Sequence, residues 1–277
     1  MGVGALLATL LVTYSVPLQD ASASGRSVAE ARSGGRFDPV LVQQTLSAIN
    51  GPHGQGITGP RELTVQLPHP TTAGDLLVAG IDDGVMTSGM PHPRYGFSDW
   101  SLGATTIGGE TAGNGSGGYA TGGLQGAIYF YPDNPGGIRK VRVASIPSRT
   151  VTWVTVTIAE FADVSGNLSV DVGGVETSGR SDHTYDQVSS VSTSSPTSHA
   201  PDLAIALFNN GGAAPHGEQF VTTHGWTTIG ADPSLNGIDQ PLLMNYRVVT
   251  KPVRVKETER YLGGYPIDNC AVIVALR

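Results

Sequence analysis

One order of landmarks occurs twice along this chain, and that duplication constrains the fold more than any single motif. The run Thr72-Ala73-Gly74-Asp75-Leu76-Leu77-Val78-Ala79 has a counterpart in His199-Ala200-Pro201-Asp202-Leu203-Ala204-Ile205-Ala206. In both, a turn ends at Asp and an apolar run begins at Leu. Trp100 lies 25 residues after Asp75, and Trp226 lies 24 residues after Asp202. Each Trp precedes a Thr-Ile-Gly stretch, Thr106-Ile107-Gly108 and Thr228-Ile229-Gly230. A Tyr-bearing segment follows in each half, 127–131 and 242–249, and then a strongly apolar one, 151–161 and 270–276. One half alone cannot cover its own apolar faces. Two four-stranded halves are therefore expected to supply the two sheets of one sandwich over residues 59–277.

The local chemistry agrees with an all-β chain. With 38 Gly, 18 Pro and only 14% charged residues, short strands and many turns are favoured over long helices. Strands are expected at 62–67, 75–81, 127–131, 140–144, 151–161, 202–208, 242–249 and 270–276, where short apolar runs lie between turn clusters. Pro132-Asp133-Asn134-Pro135-Gly136-Gly137 and Asn209-Asn210-Gly211-Gly212 supply residues that preset φ or tolerate positive φ. The fold class is thus an all-β, jelly-roll-like antiparallel β-sandwich with an internal pseudo-repeat, preceded by an N-terminal arm.

That arm covers residues 1–58. Val3 to Leu18 is apolar or small, and Ala21-Ser22-Ala23 has the small-x-small form of a signal-peptidase site, so 1–23 reads as a possible signal peptide. No Lys or Arg precedes the run, however, and it falls short of the roughly 20 apolar residues that span a bilayer. An uncleaved arm that packs on a partner is the preferred reading, and no membrane span is expected. Within the arm, Asp38 as N-cap, Pro39 at the first helical position, and Val40, Leu41, Gln44, Leu46 and Ile49 at near-helical spacing predict a short helix ending at Asn50-Gly51.

Charge and motif content exclude several functions. A net charge of −7 is the wrong sign for holding nucleic acid through its phosphates. The single cysteine, Cys270, sits in an apolar run and reads as a small core residue. None of the seven histidines forms a zinc spacing, Gly113-Asn114-Gly115-Ser116-Gly117-Gly118 lacks the Lys of a phosphate loop, and no Gly-x-Ser-x-Gly elbow occurs. No catalytic residue, metal ligand set or cofactor is expected. Asp82-Asp83-Gly84 suits a hard cation in composition, but a solvated hairpin turn is preferred. Glu160 stands inside an apolar run, so either alternation places it outward or it pairs with a base such as Arg247, with catalysis third. Trp100 and Trp226, as repeat partners, read as core. Candidate binding residues are Tyr95 and Phe97 in the long 82–127 loop, and His183 and Tyr185 in the 181–186 segment.

Taken together, the Asp75-Leu76 strand, Trp100, Ile128-Tyr129-Phe130-Tyr131, Ile158-Ala159-Glu160-Phe161 and the Asp202-Leu203 strand resemble a β-sandwich found in minor tail and other accessory virion proteins of phages that infect actinobacteria, and in secreted bacterial proteins. The resemblance covers about residues 62–277, and no catalytic residue travels with it. It implies a non-enzymatic structural protein of a virion, a minor tail or decoration protein. Its partners would be other virion proteins or copies of itself, with host-surface glycans as a possible ligand. The alternative it implies is a secreted bacterial protein that binds carbohydrate or cell wall.

Overall fold

The computed structural model describes residues 37–50, 62–85, 94–98, 111–113, 123–146, 151–164, 168–178, 186–210, 219–232, 242–262 and 269–277. Among them every strand pairing is antiparallel. The first eight strands are β1 (Val40–Asn50), β2 (Glu62–Gln66), β3 (Leu76–Val85), β4 (Arg94–Ser98), β5 (Thr111–Gly113), β6 (Gly123–Tyr131), β7 (Lys140–Ile146) and β8 (Val151–Ala162). The second eight are β9 (Val170–Ser178), β10 (Asp186–Ser192), β11 (Asp202–Asn210), β12 (Gln219–Thr222), β13 (Thr227–Asp232), β14 (Leu242–Val249), β15 (Lys256–Leu262) and β16 (Asn269–Leu276).

The repeat unit is eight strands, twice the four expected from the landmarks. Sheet orders β1-β8-β3-β6-β5 and β2-β7-β4 in the first half return as β9-β16-β11-β14-β13 and β10-β15-β12 in the second. Each half is a jelly-roll-like pair of sheets, one of five strands and one of three. The registers make the equivalence residue-specific. Leu76 pairs with Phe161 and Leu203 with Leu276, while Ala79 pairs with Tyr129 and Ala206 with Asn245. Asp75 and Asp202 therefore start related strands, as the duplication implied; Trp100 lies outside the described residues.

The segment 38–50, expected as a helix, instead forms strand β1 from Val40 onward, paired along its length with β8. Helical spacing is a weak preference when the far side of an apolar strand offers an open edge of backbone donors and acceptors. Pro39 fits this outcome too, since Pro is tolerated at the start of an edge strand. Asp82-Asp83-Gly84 is likewise part of a strand rather than a turn, because β3 continues to Val85, paired with β6 on one side and β8 on the other.

The two five-stranded sheets pack face to face, and a three-stranded sheet covers the outer face of each. Alternation along β3 shows how: Leu76 and Val78 join a central cluster with Leu203, Ile205, Leu207, Met244 and Val274, whereas Leu77, Ala79 and Ile81 join a separate cluster with Leu63, Val65, Val141 and Val143. A third cluster lies on the far side of the second half and includes Ala204, Phe208, Trp226 and Ile273. Both faces of the central strands are thus buried, which is why Leu76 to Ile81 and Ala271 to Leu276 are uninterrupted apolar runs. The halves meet about a pseudo-twofold axis, with β1 against β13 and, equivalently, β5 against β9.

Close approach at this interface requires Gly80, whose added Cβ would stand 2.6 Å from Met244 Sδ and 2.9 Å from Leu207 Cδ1. Gly80 and Leu207 are equivalent positions, so the axis accommodates one large side chain there and not two. At the end of the first sandwich, Asn134 ties two turns together. Its Nδ2 donates to the carbonyls of Thr72 (3.0 Å) and Asp75 (2.7 Å), and its Oδ1 accepts from Thr71 Oγ1 (2.9 Å) and the Gly136 N–H (2.8 Å). The turn it belongs to has positive φ at Asp133, Gly136 and Gly137, as its composition indicated.

Gly80→Val should lower stability by about 1–3 kcal/mol through overpacking of the central layer. Asn134→Ala should cost about 2–4 kcal/mol, because it strands several buried partners. Urea unfolding of each variant checks both values, and wild-type midpoints would refute the packing and clamp roles.

Candidate functional site

The strongest departure from an apolar interior is on β15. Along Lys256-Glu257-Thr258-Glu259-Arg260, strand alternation sends Lys256 and Arg260 to solvent and turns both glutamates inward. Glu257 is 0% exposed and Glu259 2%. Glu257 stands opposite Val191 on β10, and Glu259 opposite Ser189 on β10 and Thr222 on β12.

Comparison with the first half shows what has changed. There, β7 places Val141 opposite Val65, and Val143 opposite Leu63 and Phe97. By register, Val141 and Val143 become Glu257 and Glu259, Leu63 becomes Ser189, and Phe97 becomes Thr222. On the facing sheet Tyr129 becomes Asn245. At Leu63, Val141, Val143 and Tyr129 the first interior is apolar, whereas the second has Ser189, Glu257, Glu259 and Asn245 there.

Asn245, wholly buried, reaches across from β14 and donates from Nδ2 to Glu257 Oε1 at 2.5 Å. Asn245 Oδ1, Glu257 Oε2, both carboxyl oxygens of Glu259 and, in the same core, Trp226 Nε1 make no hydrogen bond. Burial pushes the Glu257 carboxyl up to about 8; the Asn245 amide draws it back, and the adjacent Glu259 charge raises it further. Burial also pushes Glu259 up to about 8, although the Val221 and Arg260 backbone N–H groups draw it down without closing a hydrogen bond. Among the described residues, no basic side chain contributes to either shift.

A second cluster lies at the surface where β9, β11 and the end of β16 meet. Ser198 donates from its backbone N–H (2.5 Å) and its hydroxyl to the two Asp171 oxygens, and its Oγ lies 2.6 Å from His199 Nδ1. Arg277 lies 3.8 Å from Asp171. Burial opposes ionisation of Asp171, but the Ser198 hydrogen bonds and the Arg277 guanidinium outweigh it and hold the carboxyl below its ordinary range. Burial, with the Asp171 charge second, raises Asp202 to about 6. Ser198 thus bridges the acid and the imidazole, whereas a nucleophilic triad needs the imidazole in the middle. The arrangement fastens the 194–199 turn to the sheet edge.

Glu160 is neither on an outer face nor paired with Arg247. It is fully buried and accepts from Gln43 Nε2 (2.5 Å) and the Thr72 N–H (2.6 Å), while Gln43 exchanges two further hydrogen bonds with the His69 backbone. Arg247 belongs to the other half and lies exposed beside Gly225, where φ is +90°.

Tyr95 and Phe97 fall on β4, opposite Ser145 and Val143, rather than in a loop. His183 and Tyr185 lie outside the described residues. Trp226 is buried in the third cluster, as its repeat position suggested. Sequence reasoning misses Glu257 and Glu259 because a Lys-Glu-Thr-Glu-Arg strand is polar on both faces. Aligning β15 with β7 is the signal that finds them. No family model matches the chain, and no curated protein or solved structure does either.

The raised carboxyls fix the sign of a pH effect. Their folded-state pKa of about 8 lies above the ordinary carboxylate range, so the stability they contribute is complete in acid and is lost as pH rises through 8. Thermal midpoints should therefore fall between about pH 5 and 9. In Glu257→Leu/Glu259→Leu that fall should be largely absent, and parallel profiles for the two proteins would refute it.

Proposed function

We propose that the chain is a non-catalytic structural subunit of a virion, an accessory or minor tail protein that acts through contacts with other virion proteins or with copies of itself. The observation that carries this reading is the first strand. β1 pairs with β8 on one side, forms the end strand of its sheet, and presents Val40 and Val42 at 51% and 45% exposure. An edge of backbone hydrogen-bonding groups beside exposed apolar side chains is the physical requirement for strand addition or docking against a neighbour.

The segment before β1 supports the same reading, because Val3 to Leu18 carries more apolar surface than a free tail should expose. Glu160 supports it too. This acid, for which catalysis ranked third, uses both oxygens to hold Gln43 and the Thr72 backbone. The resemblance to virion sandwiches supplies the kind of assembly. Among the described residues no helix is long and apolar enough to cross a membrane.

Two truncations test the proposal. Removing residues 1–36 should leave a chain with native circular dichroism that no longer forms the native assembly by light scattering. Removing residues 1–58 also takes away β1, bares the edge of β8, and should lower the thermal midpoint by about 10 °C or more. A 37–277 chain that keeps the native assembly mass would overturn the anchoring role.

A further inference from the structure

We infer that copies of this chain join head to tail, the start of β1 on one copy docking on the outer face of the β10-β15-β12 sheet of the next. The inference rests on the reading of β1 as an assembly edge and adds the surface that receives it. Among the described residues, large apolar side chains are exposed in two places. Val40 and Val42 form one set on β1, and Val188, Val221 and Val253, between 46% and 61% exposed, form the other around β15. Scattered apolar side chains need no explanation, whereas grouped ones beside polar residues mark interaction surfaces.

The two sets carry opposite charge. At β1 the Asp38 N–H donates to the Asp163 carbonyl (3.1 Å), which brings two exposed acids to the end of the strand that bears the valines. Residues 37–50 and 151–164 contain no Lys or Arg, and their remaining acid, Glu160, is buried. On the other surface, the alternation that turns Val255, Glu257 and Glu259 inward turns Arg254, Lys256 and Arg260 outward. Val188 and Val221 stand on either side of Arg260 in one cross-strand row, and Ser192 stands beside Lys256. Asp186 begins β10 beyond that row, so three bases stand against one acid.

The first half's cover sheet makes the surface specific to the second. It also exposes Lys140 and Arg142, but among its described side chains no large apolar one is exposed. Acid beside valine on β1 therefore finds base beside valine on the second cover alone. Burying the valines supplies the attraction, and the charges select the partner face and its orientation. Because one chain carries both unlike surfaces, the contact is heterologous and repeats from copy to copy into a ring or a filament. It is a small contact, so it aligns copies that residues 1–36 also hold.

The test uses the full chain and two variants with exposed substitutions, Asp38→Lys/Val42→Ser on β1 and Lys256→Glu/Val221→Ser on the cover. Each should keep native circular dichroism and lose assembly mass by light scattering. Mixed together, the two variants retain one intact pair of surfaces, β1 of the second with the cover of the first. Unlike chains should therefore associate at least about tenfold more tightly than either variant with itself, and roughly 0.5 M NaCl should weaken that pairing several-fold. Equal affinity of like and unlike chains would overturn the inference. A cover variant of native mass beside a β1 variant that dissociates would overturn it too, while leaving β1 as an assembly edge for another protein. Native mass in both variants would sink the two readings together. A full chain that stays monomeric at about 100 μM in low salt would exclude a second copy as the partner.

Discussion

Each five-stranded sheet is apolar on both faces, and a sheet of that kind has no stable exposed state. The two halves remove the problem for each other by packing one such sheet on its duplicate. Leu76, Val78 and Phe161 from one side meet Leu203, Ile205, Leu207 and Tyr246 from the other. The Phe161 and Tyr246 rings close that layer edge to face, with centroids 5.1 Å apart. Gly80 and Gly230 mark where the sheets come closest, the second with Thr157 Cγ2 at 2.8 Å from an added Cβ. Every other layer is built outward from this contact.

With the centre sealed, the outer layers are free to diverge. Each three-stranded sheet covers only one face of its neighbour, and the first does so with Leu63, Val65, Val141 and Val143. The second keeps Val191 but replaces the two valines of the middle strand by Glu257 and Glu259. A duplicated fold tolerates such an exchange because the central layer and the other half supply stability that the altered interior does not. The polar turns follow the same division. Asn134 and Thr71 clamp the first half, whereas in the second Thr197 meets the Val253 backbone and Asp171 holds Ser198.

Much of this architecture is legible in the residues. The eight strands expected from apolar runs all exist, most with ends a few residues further out. Six of them belong to the five-stranded sheets, where burial on both sides leaves a strong signal, and β2 and β7 show through the alternation of Leu63, Val65, Val141 and Val143 on the covered face of a three-stranded sheet. The strands without such a signal, among them β9, β10, β12 and β15, lie at sheet edges or in the three-stranded covers, where one face is solvated and Ser, Thr, Gly and charged residues dominate. Glu160 stands out in the sequence as an acid in a buried run. Its partners, Gln43 and Thr72, are 117 and 88 residues away and come from a strand and a turn that only the fold brings together.

Local chemistry alone specifies the all-β class, the duplication, the strands beginning near Asp75 and Asp202, and the tight turn at 132–137. Each of these rests on burial patterns within a strand, on residues that accept positive φ, or on a repeated order of landmarks. Three-dimensional packing settles that residues 40–50 are a strand, that the two halves share a central layer, and that Glu257 and Glu259 face inward. Those outcomes depend on which edge is open and which face is covered. Such choices are made by residues far away in the chain or on another sheet, beyond the reach of any local pattern.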